Sequence, residues 1–281
     1  LSGTNGMKFS VLMSVYAKER PEFLDAALRS LVEQARKPDE IVVVQDGSLT
    51  KELEDVINKY LRKIEYKHLF KVIQLKKNVG LGCALNAGLK SCSYEIVARA
   101  DSDDVSLPNR FAEQISYMEN NPEVKIISAN IQEYDESLTD RLAVRVVPET
   151  DRSIKKYIRR RSPFNHMAVV FRKSAVQEAG GYMHCSFFED YYLWCRVVAR
   201  GGSFYNFQTP LVHARAGDSM VARRGGLRYA CDICNFQYLA QKTGIFSIWD
   251  VALNLIIRVP IALAPRYLRR LMYIRGLRKE S

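Results

Sequence analysis

Short apolar segments rich in β-forming residues alternate with segments of helical periodicity through the first half of this chain. Strands are predicted over 9–16, 41–44, 71–75, 95–100 and 124–130. Helices are predicted between them, over 21–31, 53–61, 82–89 and 109–119. This alternation predicts an α/β fold in which a Rossmann-like, mostly parallel sheet is flanked by helices on both faces.

The second half of the chain has a looser pattern. Strands are predicted over 142–147 and 166–172, and helices over 151–161, 174–179 and 188–199. Hydrophobic residues make up 47% and charged residues 26% of the 281 residues, which excludes a disordered or collagen-like chain. The six cysteines and the lack of a signal-peptide pattern favour a reducing, cytoplasmic setting.

Carboxylates directly follow two of the predicted strands. Asp46 comes after the second strand, and Asp101-Ser102-Asp103-Asp104 comes after the fourth. In parallel sheets, ligands bind beyond the carboxyl ends of the strands, so both groups are expected at one edge. Alternate carboxylates on a tight loop suit Mg²⁺ or Mn²⁺, although an isolated D-x-D is also common as an ordinary acidic turn.

The net charge of +11 is concentrated near the C-terminus. Residues 219–281 contain 11 Lys/Arg and 3 Asp/Glu, a local charge of +8. This asymmetry indicates an anionic partner for the tail and argues against a nucleic-acid channel through the body. The apolar stretch 245–264 is interrupted by Asp250, Asn254, Arg258 and Pro260, so no membrane span is predicted.

A basic amphipathic helix is predicted from Pro265 onward, where arginines alternate with large apolar residues. Such a helix can lie on an anionic membrane surface. The alternative is a C-terminal helix that docks on the body and turns a basic face to solvent.

Five ordered motifs resemble the inverting GT-A enzymes of glycosyltransferase family 2, over about residues 9–215. They are VLMSVYAKERPEFLDAALRSLVEQ, DEIVVVQDGS, KNVGLGCALNAGL, YEIVARADSDDVSLPNRFAEQ and the pair GGY and FEDYYLWCR. Together with ARRGG at 222–226, they are most similar to bacterial enzymes that extend lipid-linked sugars, of the amylovoran-biosynthesis type. Gln45 departs slightly from the family, which often has Asp or Asn there.

The resemblance implies a nucleotide-sugar site and a metal. Asp46 matches the aspartate that hydrogen-bonds uracil, and the other residues matched to the nucleotide sugar are Ser14, Val15, Tyr16, Arg99, Asp101 and Ser102. Asp103 matches the principal ligand of Mn²⁺ or Mg²⁺. Asp101 lies near ribose and metal, and His213 falls where many members have a further ligand.

The resemblance also implies a catalytic base and groups near the acceptor or diphosphate. Asp190 matches the base that takes the proton of the acceptor hydroxyl. The other candidates are Glu189, His166, Trp194, Arg223 and Arg224. For these the alternatives stay open: a helix-capping role for Glu189, a structural His166, core packing for Trp194, and solvated arginines.

The expected protein is therefore a metal-dependent, inverting hexosyltransferase for bacterial surface polysaccharide. Residues 7–215 are expected to form the catalytic domain, with a nucleotide-sugar half (7–104) and an acceptor half (105–215), and residues 216–281 a membrane-associated region. The partners implied are a UDP-sugar, a polyprenyl-diphosphate-linked saccharide and the inner face of the plasma membrane. The alternatives are a nucleotidyltransferase, or a basic nucleic-acid- or membrane-binding protein without transferase activity.

Overall fold

A mixed sheet with helices on both faces forms the centre of the molecule. The computed structural model describes residues 6–216 and 225–265. Within these ranges the strands are β1 (Phe9–Val15), β2 (Glu40–Gln45), β3 (Phe70–Gln74), β4 (Ile96–Asp101), β5 (Val105–Ser106), β6 (Val124–Tyr134), β7 (Arg141–Arg145), β8 (Val170–Arg172) and β9 (Ser203–Arg215). They follow the order β3-β2-β1-β4-β8-β6-β9-β5, and β7 pairs with the last part of β6. This architecture confirms the predicted fold class.

The first four of these strands run parallel to one another. β1 pairs with both β2 and β4, and all seven of its residues are buried, as expected for a central strand covered on both faces. The register sets Ser14 beside Asp101, and Val15 beside Gln45. The carboxyl ends of β1, β2 and β4 therefore meet at one edge.

The 13-residue strand β9 lies between β6 and β5 near one end of the sheet, and the sequence pattern did not predict it. β9 runs parallel to β6 and antiparallel to the short β5. Because β5 starts directly after the Asp101–Asp104 turn, β9 brings the distant residues His213 and Arg215 to that turn.

The helices are α1 (Pro21–Val32), α2 (Lys51–Leu61), α3 (Leu81–Ser91), α4 (Arg110–Asn120), α5 (Asp151–Tyr157), α6 (Lys173–Glu178), α7 (Glu189–Ala199), α8 (Leu227–Lys242) and α9 (Ile248–Leu263). Alternate residues of β1 contribute to two cores. Leu12 packs in the core that contains α3 and α7, whereas Val11 and Met13 pack in the core that contains α1, α2 and α4.

Two of the predicted elements are shorter in the structure by four residues. The predicted strand 166–172 was wrong at its start, because a 3₁₀ turn (His166–Ala168) precedes β8. There the backbone N–H of Ala168 donates to the Asn165 carbonyl at 2.9 Å, a local bond that closes a turn instead of a strand ladder. The predicted helix 151–161 ends at Tyr157, and the carbonyls of Arg159 and Arg160 accept hydrogen bonds from α9 instead.

The two C-terminal helices pack onto α7. Phe236 of α8 lies against Tyr191 of α7, with ring centroids 4.5 Å apart, and α9 lies against α8. Ser247 and Asp250 cap α9 reciprocally, through bonds of 3.0 and 3.1 Å to each other's backbone N–H. Among the described helices, none has both the length and the hydropathy to cross a bilayer. The helix predicted from Pro265 onward lies outside the described residues.

Gly88 allows α3 to approach the sheet closely. A Cβ at this position would lie 2.3 Å from Leu12 Cδ1 and 2.6 Å from Val44 Cγ2. We expect Gly88→Val to lower the free energy of unfolding by at least about 2 kcal/mol, because the added atoms overpack a buried contact. Urea denaturation measures this effect. Lys90→Val, on an exposed position of the same helix, is the matched control, and equal midpoints for the two variants would refute the packing argument.

Candidate active site

Three carboxylates converge on the turn that follows β4. Asp101, Asp103 and Asp104 each present an oxygen, and these oxygens lie within 4.8 Å of one another. Asp101 and Asp103 were proposed as metal ligands from the sequence. Asp104 was not, although it stands in the same motif, because the D-x-D pattern alone gives no reason to include a residue that the fold then buries to 7% exposure.

Burial and neighbouring negative charges raise the pKa of Asp103 and Asp104. Burial raises the pKa of Asp103 to about 7, and the charges of Asp101 and Glu19 add to the effect. Burial and the charges of Asp103 and Asp101 hold the pKa of Asp104 well above its usual range. A cluster of hard oxygen ligands whose ionised forms repel one another fits a divalent cation such as Mg²⁺ or Mn²⁺.

Two buried arginines lie behind this turn. Arg99 of β4 is fully buried and its guanidinium forms an ion pair with Asp101. Arg110, at the start of α4, donates to the Arg99 carbonyl at 2.6 Å, to Ser106 Oγ at 2.9 Å and to Gln114 Oε1 at 3.0 Å. Burial, together with the charge of Arg99, lowers the pKa of Arg110 to about 9. Arg99 therefore sits where it can orient Asp101 from behind.

Arg215, the last residue of β9, holds the turn from the other side. Its backbone N–H donates to Asp104 Oδ1 at 2.9 Å, and its guanidinium donates to the Asp103 carbonyl. The guanidinium also lies over the Phe23 ring, 4.0 Å from the centroid. The sequence reasoning missed Arg215, because a role at a turn 112 residues away is visible only once β9 is placed.

His213 lies two residues before Arg215 and pairs with Val105 in the sheet register. Its ring is 4.6 Å from the ring of Tyr134, and burial lowers the pKa of its imidazole. Its nitrogens are not part of the three-carboxylate group. The role of His213 as a further metal ligand stays a prediction.

The proposed nucleotide edge is formed by the ends of β1 and β2. Ser14 and Val15 are buried, and Tyr16 is 42% exposed. The Asp46 carboxylate accepts hydrogen bonds from the backbone N–H groups of Val79 and Gly80, at 2.7 and 3.0 Å. Asp46 therefore fixes the loop before α3 and still has lone pairs for a further donor.

Ser102 and Glu19 connect the acidic turn to the loop after β1. The Ser102 hydroxyl donates to the Glu19 carboxylate, and Ser102 itself is buried. This bond draws the loop that follows Tyr16 toward the carboxylates.

Asp190 and Glu189 open helix α7. One oxygen of Asp190 accepts from the N–H of Tyr191 at 2.7 Å, and the positive end of the helix dipole stabilises its charge. Burial, followed by the charge of Asp190, raises the pKa of Glu189. α3 approaches the same point, since a Cβ at Gly82 would lie 3.8 Å from Glu189 Cβ.

A hydrogen-bonded pair, His166 and Tyr182, lies within electrostatic reach of both Asp101 and Asp190. His166 Nε2 and the Tyr182 hydroxyl are 2.9 Å apart. Burial and the charge of Arg99 lower the pKa of His166 to about 4, while Asp190 and Asp101 act in the opposite direction. Asp101 and Asp190 thus both lie close enough to His166 for their charges to act on its imidazole, and with a pKa of about 4 His166 is neutral near pH 7.

Asn86 of α3 fixes Tyr182 by its backbone. Its amide donates to the Tyr182 carbonyl at 2.6 Å and accepts from the Tyr182 N–H at 2.8 Å. Sequence reasoning noted both residues within motifs but gave them no role. Trp194 has no exposed surface and packs edge-on to Phe164, so of the two readings left open the structure supports core packing. Arg223 and Arg224 lie outside the described residues.

Comparison with known proteins identifies the family to which this site belongs. Residues 10–178 match the model of "Glycosyl transferase family 2". The chain belongs to glycosyltransferase family 2. It is 38% identical over 272 residues to an Escherichia coli "UDP-Gal:alpha-D-GlcNAc-diphosphoundecaprenol beta-1,3-galactosyltransferase", covering 97% of each chain. It is 44% identical to the amylovoran biosynthesis glycosyltransferase AmsE of Erwinia amylovora, over 79% of this chain and 81% of that one.

Solved structures of glycosyltransferases share the fold. S. aureus TarS 1–349 in complex with UDP-GlcNAc superposes with a TM-score of 0.64 at 20% identity, over 83% of this chain and 66% of TarS. The mannosyltransferase PcManGT from Pyrobaculum calidifontis, in complex with GDP-Man and Mn²⁺, also has a TM-score of 0.64, at 16% identity, over 97% of this chain and 76% of that one. Family membership and the curated relatives make this family 2 chain a glycosyltransferase, as the motifs predicted.

The crowded carboxylates of this glycosyltransferase give a prediction about stability. The pKa of Asp103 is raised from 3.8 to about 7 by folding, so its ionised form destabilises the metal-free fold increasingly as pH rises toward 7. At pH 8 in EDTA we expect Asp103→Asn to melt at or above the wild-type temperature. We expect Mn²⁺ to raise the melting temperature of the wild type but not of this variant.

Asp140→Asn, which changes an exposed aspartate, is the control and should respond to Mn²⁺ as the wild type does. Thermal melts at pH 8 with EDTA or Mn²⁺ measure both effects. An Asp103→Asn protein stabilised by Mn²⁺ as strongly as the wild type would show that the ion does not depend on this carboxylate.

Proposed function

We propose that this enzyme transfers a hexose, with inversion, from a UDP-sugar to a hydroxyl of a polyprenyl-diphosphate-linked saccharide during synthesis of a bacterial surface polysaccharide. The observation that carries the proposal is that Asp101 of the three-carboxylate turn and Asp190 both act on the imidazole of His166, which is hydrogen-bonded to Tyr182. The donor and acceptor classes are those in the name of the E. coli relative.

Asp101, Asp103 and Asp104 are proposed to hold Mn²⁺ or Mg²⁺, with His213 as a further candidate. The bound ion would neutralise charge on the departing diphosphate as a Lewis acid. The protein's own contribution is to fix the ligands. Arg99 orients Asp101, and Arg215 holds both the backbone of Asp103 and the carboxylate of Asp104.

The nucleotide is proposed to lie along the ends of β1 and β2. There Asp46 would accept a hydrogen bond from uracil, while Ser14, Val15 and Tyr16 surround the base. Asp46 is buried and already held by two backbone N–H groups, so its free lone pairs have a fixed direction. Such preorganisation lowers the entropic cost of binding.

Asp190 is proposed as the general base. As the acceptor oxygen attacks the anomeric carbon, its proton passes to the Asp190 carboxylate, and the bond from that carbon to the diphosphate oxygen breaks with both electrons leaving on the diphosphate. Attack from the opposite face inverts the anomeric carbon. His166 is neutral near pH 7, so it can position groups through hydrogen bonds without adding a charge.

The donor and the ion can be tested together. We expect nucleotide release from one UDP-sugar in a panel of UDP-, GDP- and dTDP-sugars, with a GlcNAc-diphosphate-lipid acceptor and Mn²⁺ or Mg²⁺, and none in EDTA. Chromatography of the released nucleotide measures the reaction. Release from a GDP- or dTDP-sugar alone would contradict the proposed donor, and undiminished release in EDTA would contradict the role of the ion.

The base can be tested by substitution. We expect Asp190→Asn to lower kcat by about 10²–10⁴-fold, the usual contribution of a general base. Binding of the UDP-sugar, measured calorimetrically, should be unchanged, because Asp190 acts on the acceptor. Glu189→Gln tests the neighbouring carboxylate and Asp55→Asn, at an exposed position of α2, is the control. A larger loss in Glu189→Gln than in Asp190→Asn would transfer the role of base to Glu189.

We also propose that the enzyme works at the cytoplasmic face of the plasma membrane, where a polyprenyl-linked acceptor resides. The local charge of +8 over residues 219–281 supports attraction to anionic lipid. No nucleic-acid partner is expected.

A further inference from the structure

The exposed face of α9 is apolar along its whole length. We define the apolar stripe as Trp249, Leu253, Ile256, Ile257, Pro260 and Leu263. These residues follow one another at helical spacing and share one side of the helix. Trp249 is 80% exposed and Ile256 70% exposed.

A surface helix normally turns a polar face to water. α9 does not. The contacts of α9 with the body are made by other residues: Val251, Leu255 and Val259 contact the core that contains α7 and α8, and Asp250 and Asn254 are buried. Within the described residues, the apolar stripe therefore stays exposed and is not needed to pack α9 on the body. Contiguous exposed apolar surface of this kind marks an interaction site.

Arginines border the stripe on one side. Asn254 donates to the Arg159 carbonyl at 2.9 Å and Arg258 donates to the Arg160 carbonyl at 2.6 Å, so the turn after α5 lies along α9. We define the basic edge as Arg159, Arg160, Arg161 and Arg258. Within this edge, Arg160 forms an ion pair of 2.7 Å with Asp250.

We propose that the apolar stripe and the basic edge together bind an anionic lipid bilayer, with α9 lying in the plane of the interface. At this interface the hydrocarbon region borders the anionic headgroups. The apolar stripe would contact the hydrocarbon, and the basic edge would contact the headgroups. A second copy of the chain would bring its own arginines against this edge. Residues 266–281 contain six Arg/Lys and one Glu, so they offer no anionic complement either.

This inference rests on the proposed function in one respect, namely that a membrane-anchored acceptor gives the surface its purpose. The surface is also connected to the candidate base. Tyr191 follows Asp190 in the chain, and its hydroxyl donates to the carbonyl of Ile158, the residue before the basic edge. A bilayer docked on α9 would thus lie against the part of the body that carries Asp190.

Vesicle sedimentation with the full chain tests the surface. We expect the wild type to bind phosphatidylcholine–phosphatidylglycerol vesicles at least tenfold more tightly than phosphatidylcholine vesicles. Trp249→Ser/Ile256→Ser should weaken binding to the anionic vesicles at least tenfold. The matched control Ile64→Ser/Leu142→Ser, which changes two exposed apolar residues elsewhere, should bind as the wild type does.

The basic edge is tested separately. Arg159→Gln/Arg161→Gln should bind anionic vesicles several-fold more weakly, and added salt should narrow its difference from the wild type. Arg62→Gln/Lys67→Gln, at exposed positions beside α2, is the control. Equal loss in the two charge variants would show that only overall charge matters and would overturn the role of the edge.

Tryptophan fluorescence gives a direct readout. The chain has two tryptophans, and Trp194 is fully buried, so a blue shift on adding anionic vesicles reports Trp249 entering an apolar medium. No shift would overturn the proposal. Vesicle binding unchanged in Trp249→Ser/Ile256→Ser would also overturn it. A loss of self-association in that variant would then assign the stripe to a second copy, and a loss of thermal stability would assign it to residues 266–281.

Hydrolysis of the UDP-sugar without lipid separates this inference from the proposed function. The stripe variants should retain that hydrolysis, because none of their residues belongs to the candidate site. If the wild type hydrolysed the UDP-sugar but bound no vesicles, the proposed membrane surface would be refuted and the transferase proposal would stand. Vesicle binding without any reaction of nucleotide sugars would refute the transferase proposal alone.

Discussion

The mutual repulsion of three carboxylates on one turn is the constraint around which the site is organised. Asp101, Asp103 and Asp104 would separate if the chain allowed it, because burial strengthens the repulsion that water would screen. The sheet prevents this from both sides. Arg99 forms an ion pair with Asp101 from within β4, and Arg215 holds the turn from the end of β9.

The repulsion between the carboxylates destabilises the fold locally, and other contacts of the fold offset this destabilisation. Arg110 donates to the Arg99 carbonyl among other acceptors and so stabilises the backbone of β4, although its own burial makes its charge costly. A divalent cation bound at the turn would relieve the repulsion between the carboxylates. The free energy that the fold uses to hold them together would therefore strengthen the binding of the cation.

The sequence predicts most of the parallel half of the fold, because each buried strand there is a short apolar run followed by a helix of clear periodicity. It also predicts that Asp46, Asp101 and Asp103 lie at one edge of the sheet, since polar residues at strand ends stand out against such runs. It did not predict β9, which contains buried polar residues such as Asn206, whose side-chain amide donates to the carbonyls of Pro148 and Pro163. Arg215 and the paired His166 and Tyr182 depend on contacts between distant segments, which no local pattern encodes.

The large sequence separation between Arg215 and the turn that it holds affects how the protein folds during synthesis. The turn at Asp103 is held by a residue 112 positions further along the chain, and contacts of such separation form late, after costly loop closure. During synthesis the acidic turn emerges from the ribosome well before β9 exists to hold it. A nascent chain therefore carries all three carboxylates of the turn before it has the strand that sets their spacing, so the site can form only after β9 has been synthesised.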